Sequence, residues 1–295
     1  MNRVGFIGLG RMGGPMVSHL AKAGHELKVF DVVEATVAQA TSADNVVAAP
    51  NPREVAEGSE VVFTSLPTDS HLRSVGYGTD GVLSGLDEGT VWVDHTTASA
   101  LVSRELDEAA EQQGAHFLDA PVSGGVQGAE NGTLTVMVGG DEEKFGMVEP
   151  FIDSYARLVT YMGPVGSGQL TKMANQICVV GLGQALAEGL NFAESAGLDA
   201  NKVVEVMLQG SSTSWEMENR SEFMLAGEYD FGFSTDLMRK DVGLCLEEAR
   251  RLSISLPVTA LTDQFLADVQ RMGGSNWDWC SLMERQRLAG SQHAG

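Results

Sequence analysis

Short apolar runs and amphipathic stretches alternate through the first 163 residues; after that only amphipathic stretches remain. RVGFI at 3–7, ELKVFD, a short run ending near Val47, VVFTSLP, VWVDHT, HFLDAPV, LTVMVGG and RLVTYMG have the length and β-branched character of strands. Helical spacing predicts helices near 13–23, 34–41, 52–57, 69–75, 99–113 and 142–153. Strands interleaved with helices imply a mostly parallel sheet covered on both faces. From about 164 the spacing predicts helices near 166–194, 199–209, 213–226, 234–253, 257–271 and 278–288. Asp199 and Ser234 fit as N-caps and Pro257 fits a first turn. The expected fold class is therefore an α/β Rossmann-type N-terminal domain, residues 1–163, followed by an all-α domain, residues 164–295.

One predicted helix carries an anomaly. In GQLTKMANQICVVGLGQALAEGL, residues 168–190, Lys172 is the sole formal charge from Gly168 to Ala187. A helix that is apolar or small nearly all round is usually buried. A buried lysine loses its proton more readily than a solvated one, which suits a general base on a hydroxyl or the reverse acid on a carbonyl. Asn175 and Gln176, three and four residues on, share its face. A lysine whose stem is buried and whose head snorkels to an edge gives the same pattern, so spacing alone leaves the two readings even.

Glycine patterning adds a second piece of chemistry. Gly8-Leu9-Gly10-Arg11-Met12-Gly13 leaves a strand and opens a helix, the context a dinucleotide-binding turn requires. Asp31 ends the next strand and no Arg or Lys follows it closely, which favours NAD over NADP. Ser123, Gly124 and Gly125 leave another strand in a turn; backbone N–H groups there suit a carboxylate, and an ordinary tight turn explains the pattern equally well. The adjacent Lys240 and Asp241 read, from spacing alone, as an exposed helix charge pair.

Composition removes alternatives. Nineteen basic against 40 acidic residues give a net charge of −21, unsuited to nucleic acid or an anionic membrane. Cys178, Cys245 and Cys280 are odd in number and far apart, which supports neither a disulfide framework nor a zinc site and predicts small buried side chains. The histidines, 19, 25, 71, 95, 116 and 293, show no metal-ligand spacing; His95 reads as a local hydrogen-bonding residue. No signal-peptide pattern or membrane-length run is present, so the expectation is a cytoplasmic protein without a metal.

GLGRMGGPM, DAPVSGG, GSGQLTKMANQ and LMRKDVGLCLEEA, in this order, resemble the β-hydroxyacid dehydrogenase family, of the 3-hydroxyisobutyrate dehydrogenase and tartronate semialdehyde reductase type. The resemblance spans nearly the whole chain. It implies an NAD-dependent oxidoreductase that moves hydride between a small 3-hydroxy acid and NAD, giving a semialdehyde. Lys172 then corresponds to the catalytic lysine. Ser123, Gly124 and Gly125, with Asn175 and Gln176, correspond to substrate ligands. Leu66, Pro67, Thr97 and Lys240 fall at cofactor positions beside Gly8 to Gly13 and Asp31, against the plainer reading of Lys240. A homodimer or homotetramer is also implied. DHTTASA at 94–100 and the ANQ run depart from the commonest pattern; ANQ is similar to tartronate semialdehyde reductases. A non-catalytic dinucleotide-binding sensor stands as the alternative of a different class.

Overall fold

A computed structural model describes residues 3–291 of the chain, so His293 lies outside the described residues. Arg3–Ile7 (β1) leads into Gly13–Lys22 (α1), then Glu26–Phe30 (β2), Glu34–Ala40 (α2), Val46–Ala48 (β3), Pro52–Ala56 (α3), Val61–Thr64 (β4), Asp69–Gly76 (α4), Val91–Asp94 (β5), Ala100–Glu111 (α5) and His116–Asp119 (β6). Val122–Ser123 (β7), Gly125–Asn131 (α6), Leu134–Gly139 (β8), Glu142–Ile152 (α7) and Ala156–Gly163 (β9) follow. The remaining helices are Ser167–Ser195 (α8), Ala200–Leu208 (α9), Trp215–Ala226 (α10), Thr235–Arg251 (α11), Pro257–Arg271 (α12) and Leu282–Ser291 (α13). The expected fold class is the observed one: a parallel-dominated sheet first, helices afterwards.

Among the described residues nine strands form one sheet, in the order β3-β2-β1-β4-β5-β6-β8-β7, with β9 also on β8. Pairing is parallel from β3 through β6 and between β8 and β9; β8 runs antiparallel to β6 and β7. Strand periodicity explains how both faces are covered. Val4, Phe6, Val61, Phe63, Val91, Val93 and Leu118 join one buried cluster with Met16 and Leu20 of α1 and Val148 and Ile152 of α7. Their neighbours Ile7, Val62, Trp92 and Phe117 join the opposite cluster with Val55, Leu72, Val102 and Leu106. Gly5 lets α3 approach: a Cβ there would lie 2.8 Å from the Val55 methyl carbon and 2.9 Å from its carbonyl oxygen.

The chain divides into two compact units, Met1–Lys172 and Met173–Gly295, which part inside α8. In the second unit Val180, Leu186 and Leu190 of α8 pack in one cluster with Met238, Val242, Leu266 and Trp279. Gly183 is required there, because a Cβ would collide with the Trp279 ring. Asp199 caps α9 by accepting from Asn201 and Lys202, Ser234 caps α11 by accepting from Leu237, and Pro257 opens α12.

Three expectations need correction. The turn at Ser123–Gly125 opens onto a further helix, α6, because Gly124 and Gly125 take positive φ (124° and 63°) and redirect the chain. Cys178 is exposed, whereas Cys245 and Cys280 are buried. Finally, α8 is not buried all round: Ala174, Cys178, Leu182, Ala185, Glu188 and Phe192 form an exposed stripe, because the other helices of the unit cover only its opposite side.

Candidate active site

At the carboxyl ends of the parallel strands, β1 lies between β2 and β4, where the strand order reverses. Ligands of open α/β sheets bind at such a switch point. The loop after β1 has the required shape. Gly8 has φ 92°, and a Cβ there would collide with the Ser65 carbonyl oxygen. One on Gly13 would collide with the Gly8 carbonyl oxygen and lie 2.9 Å from the Phe6 ring. A Cβ on Gly10, by contrast, would meet nothing within 4 Å. The first and third glycines therefore close the turn onto α1 while the second leaves a cradle open to a phosphate. No side chain caps α1, so its positive end remains available to an anion. Leu9 is buried, Met12 half-buried and Arg11 exposed.

Asp31 follows β2 and braces this loop. Its Oδ2 accepts from the Leu9 N–H at 2.6 Å and its Oδ1 from the Val33 N–H at 2.8 Å. Each carboxylate oxygen keeps a further lone pair, enough to accept a ribose hydroxyl. Val32, 87% exposed, and Val33 follow it where a 2′-phosphate would need a cation. These groups fit NAD.

The loops after β4 and β5 are joined by buried polar groups. Asp94 Oδ1 accepts from the Thr64 and Thr96 hydroxyls, both at 2.6 Å, and the Thr96 oxygen accepts from the Leu66 N–H at 3.0 Å. Trp92 Nε1 donates to the Thr64 oxygen at 3.0 Å. Burial pushes the Asp94 carboxyl up to about 7, against the pull of the threonine hydrogen bonds. His95 donates from Nδ1 to the Ala120 carbonyl at 2.6 Å, so its Nε2 accepts from the Tyr155 hydroxyl at 2.8 Å. Burial holds it neutral, down at about 4. It is a local hydrogen-bonding residue, as its sequence context suggested. Pro67 is exposed and Thr97 half-buried, on the same loops as Leu66 and Thr96.

Lys172 is 7% exposed and is the last residue of the first unit. The burial that the pattern implied is observed. One turn on in α8, Asn175 Nδ2 donates to Gln176 Oε1 at 2.9 Å, and Gln176 Nε2 donates to Asp241 Oδ2 at 2.8 Å. Lys240 Nζ pairs with Asp241 Oδ1 at 2.9 Å. Asp241 is buried, so this is no exposed charge pair: it ties α11 to the Asn175–Gln176 turn of α8 within the second unit. Ser123 is half-buried, and Gly124 and Gly125 are exposed beside it.

The local pattern of the chain does not single out Asp119 or Gln169. Asp119, at the end of β6, accepts from the Gly166 N–H at 2.6 Å and the Gln169 N–H at 2.8 Å, satisfying donors at the start of α8. Burial raises its carboxyl, and those two backbone hydrogen bonds and Arg104 oppose the rise. The acidic first residue of DAPVSGG was the available signal. No cluster of metal-ligating side chains occurs among the described residues. No helix among them is long and apolar enough to cross a membrane.

Comparison with known proteins matches residues 3–163 to the NAD binding domain of 6-phosphogluconate dehydrogenase. Residues 166–285 match the NAD-binding domain of NADP-dependent 3-hydroxyisobutyrate dehydrogenase. The chain is 52% identical to an uncharacterized oxidoreductase of Shewanella frigidimarina, over 97% of this chain and 98% of the relative. It is 35% identical to 2-hydroxy-3-oxopropionate reductase of Escherichia coli, over 97% of each. A solved structure of Mycobacterium tuberculosis 3-hydroxyisobutyrate dehydrogenase with L-serine superposes with a TM-score of 0.89 at 30% identity, covering 97% of this chain and 99% of that one.

Proposed function

The chain belongs to the β-hydroxyacid dehydrogenase family of NAD-binding oxidoreductases, and from that premise we propose that it oxidises a small 3-hydroxy acid to the semialdehyde with Lys172 as the base. The observation that carries this reading is the burial of Lys172 on a helix whose next turn bears two ordered amides. A module that only binds a dinucleotide has no need of such a lysine.

The turn at Ser123–Gly125 binds the substrate carboxylate with a hydroxyl and backbone N–H groups, a local positive site on a chain of net charge −21. NAD would be held by Gly8 to Gly13, Asp31, the Leu66–Pro67 loop and Thr97, and would supply the hydride acceptor. Lys172, as the neutral amine, takes the hydroxyl proton while Asn175 and Gln176 orient that oxygen. In the reverse direction Lys172 as the ammonium returns the proton to the carbonyl oxygen. NADP is the poorer cofactor because Asp31 repels a 2′-phosphate and valines follow it.

Reduction of tartronate semialdehyde is the second reading, favoured by the amide pair Asn175–Gln176 and the 35% identity to the Escherichia coli reductase. Assembly as a cytoplasmic homodimer or homotetramer fits the exposed stripe of α8, which is apolar except for Glu188.

The test is turnover of 3-hydroxyisobutyrate, D-glycerate, L-serine and 3-hydroxypropionate with NAD and NADP, and of tartronate semialdehyde with NADH, beside Lys172→Ala. One acid should be oxidised with NAD, and the variant should lose roughly 100-fold or more in kcat, the scale of general acid–base catalysis, while still binding NADH. Near-normal turnover by the variant refutes the assignment. NADH binding without turnover of any member of the panel favours a sensor.

A further inference from the structure

The Gln169 side chain is fully buried, one helical turn before Lys172. Both ends of its amide are used on one short segment: Oε1 accepts from the Ala98 N–H at 3.0 Å and Nε2 donates to the Thr96 carbonyl at 2.7 Å. Thr97 lies between those two contacts. The backbone N–H of Gln169 goes to Asp119, as does that of Gly166, so the end of β6 holds the same turn. That turn cannot slide: a Cβ on Gly168 would collide with the Met137 carbonyl oxygen and lie 2.7 Å from the Asp119 carbonyl oxygen. Thr96 is fixed in turn by Asp94, and its hydroxyl oxygen also receives the Leu66 N–H. The loops after β4, β5 and β6 and the first turn of α8 thus form one buried hydrogen-bonded strap inside a single compact unit.

We infer that Gln169 is a positioning residue for Lys172: its amide clamps the Thr96–Ala98 segment, which carries the proposed cofactor residue Thr97, to the helical turn that carries the base. The inference rests on the reading of Lys172 as the base. Hydride and proton leave neighbouring atoms of one substrate, so their two acceptors must keep a fixed separation. A misplacement of about 1 Å at such a site costs about 100-fold in rate. No other side chain of this size meets both partners. Glutamate lacks the donor for the Thr96 carbonyl and buries a charge, and leucine leaves a buried N–H and a buried carbonyl unpaired.

The experiment compares Gln169→Leu, Gln169→Glu and Lys172→Ala with the wild-type full-length chain. It measures kcat and KM for the acid that the wild type oxidises, NADH affinity by fluorescence titration, and amide hydrogen exchange over residues 96–98. Both Gln169 variants should lose roughly 10- to 100-fold in kcat. KM and the NADH Kd should move less than about threefold, and exchange at Ala98 should quicken. If the leucine variant does not fold, the near-isosteric glutamate variant carries the test. A kcat within about threefold of wild type, a loss of NADH affinity that accounts for the whole defect, or unchanged exchange at Ala98 overturns the role. An inactive Lys172→Ala beside an active Gln169→Leu overturns the clamp alone. An active Lys172→Ala overturns the reading beneath it, and the positioning role with it.

Discussion

Replacing Asp94 by asparagine should change how stability depends on pH, in a direction that the structure fixes. Asp94 is fully buried; Oδ1 accepts three hydrogen bonds, from Thr64 and from the hydroxyl and N–H of Thr96, and Oδ2 has no partner among the described residues. An asparagine carbonyl can keep the Oδ1 bonds. Burial raises the folded carboxyl from 3.8 to about 7. Across that window the native state holds a proton that the unfolded chain has lost, so the contribution is complete below pH 4 and is lost as pH rises through about 7. At 1.36 kcal/mol per tenfold the loss is on the order of 4 kcal/mol. His95 works the other way. Burial lowers it from 6.5 to about 4, so its neutral native form costs stability as pH falls through that range, on the order of 3 kcal/mol. The two slopes nearly cancel in the wild type between pH 4 and 6.5. Asp94→Asn removes one of them, and the variant should gain on the wild type steadily from pH 4 to about 7, then level off. Urea midpoints of both proteins at pH 4.5, 6 and 7.5, followed by circular dichroism, measure that difference; groups common to both proteins drop out of it. A midpoint difference that does not vary with pH would refute the reasoning, because Asp94 would not then be titrating in this window.

Gly10→Ala and Gly13→Ala separate the cradle from the fold. The first projects into open space and should keep Tm while weakening NADH binding; the second collides with the Gly8 carbonyl and should cost about 1–3 kcal/mol of stability as well, so equal melting of the two refutes the division. Asp31→Ala removes the partner of the Leu9 and Val33 N–H groups and the ribose acceptor, and should weaken NADH binding about 10- to 100-fold, at about 1.5–3 kcal/mol for a charged hydrogen bond; an unchanged Kd in a fluorescence titration counts against Asp31 as a cofactor ligand. Trp92→Ala empties a fully buried site packed edge-on to Phe117, with ring centroids 5.1 Å apart, and should cost about 3–5 kcal/mol in urea unfolding; a loss under about 1 kcal/mol would mean that the surrounding core collapses to fill the space.

The elements, and the points where chemistry is concentrated, are legible in the local pattern of the chain. Alternation in VVFT and VWVD set which side chains enter which face of the sheet, since a strand has a period of two. The GLGRMG turn was legible because glycine alone tolerates φ 92° at Gly8 and the close approach of backbone at Gly13. Lys172 was visible as a charge in an apolar helix, since burial of an ammonium conflicts with everything around it. Partnerships across long separations were decided only in three dimensions. Nothing in the spacing pairs Gln169 with Thr96 and Ala98, or Asp119 with Gly166, because hydrogen bonds between strand ends and a helix start depend on how loops stack at one edge of a sheet. For the same reason the pattern could not tell whether Lys240–Asp241 was exposed, that Cys178 was open, or that one stripe of α8 lacked cover within the chain. A single helix does not record which of its sides a neighbour will reach. Local periodicity fixes what a segment becomes, whereas the contacts that aim its side chains arise from segments 25 to 73 residues apart, where only tertiary packing brings donor and acceptor together.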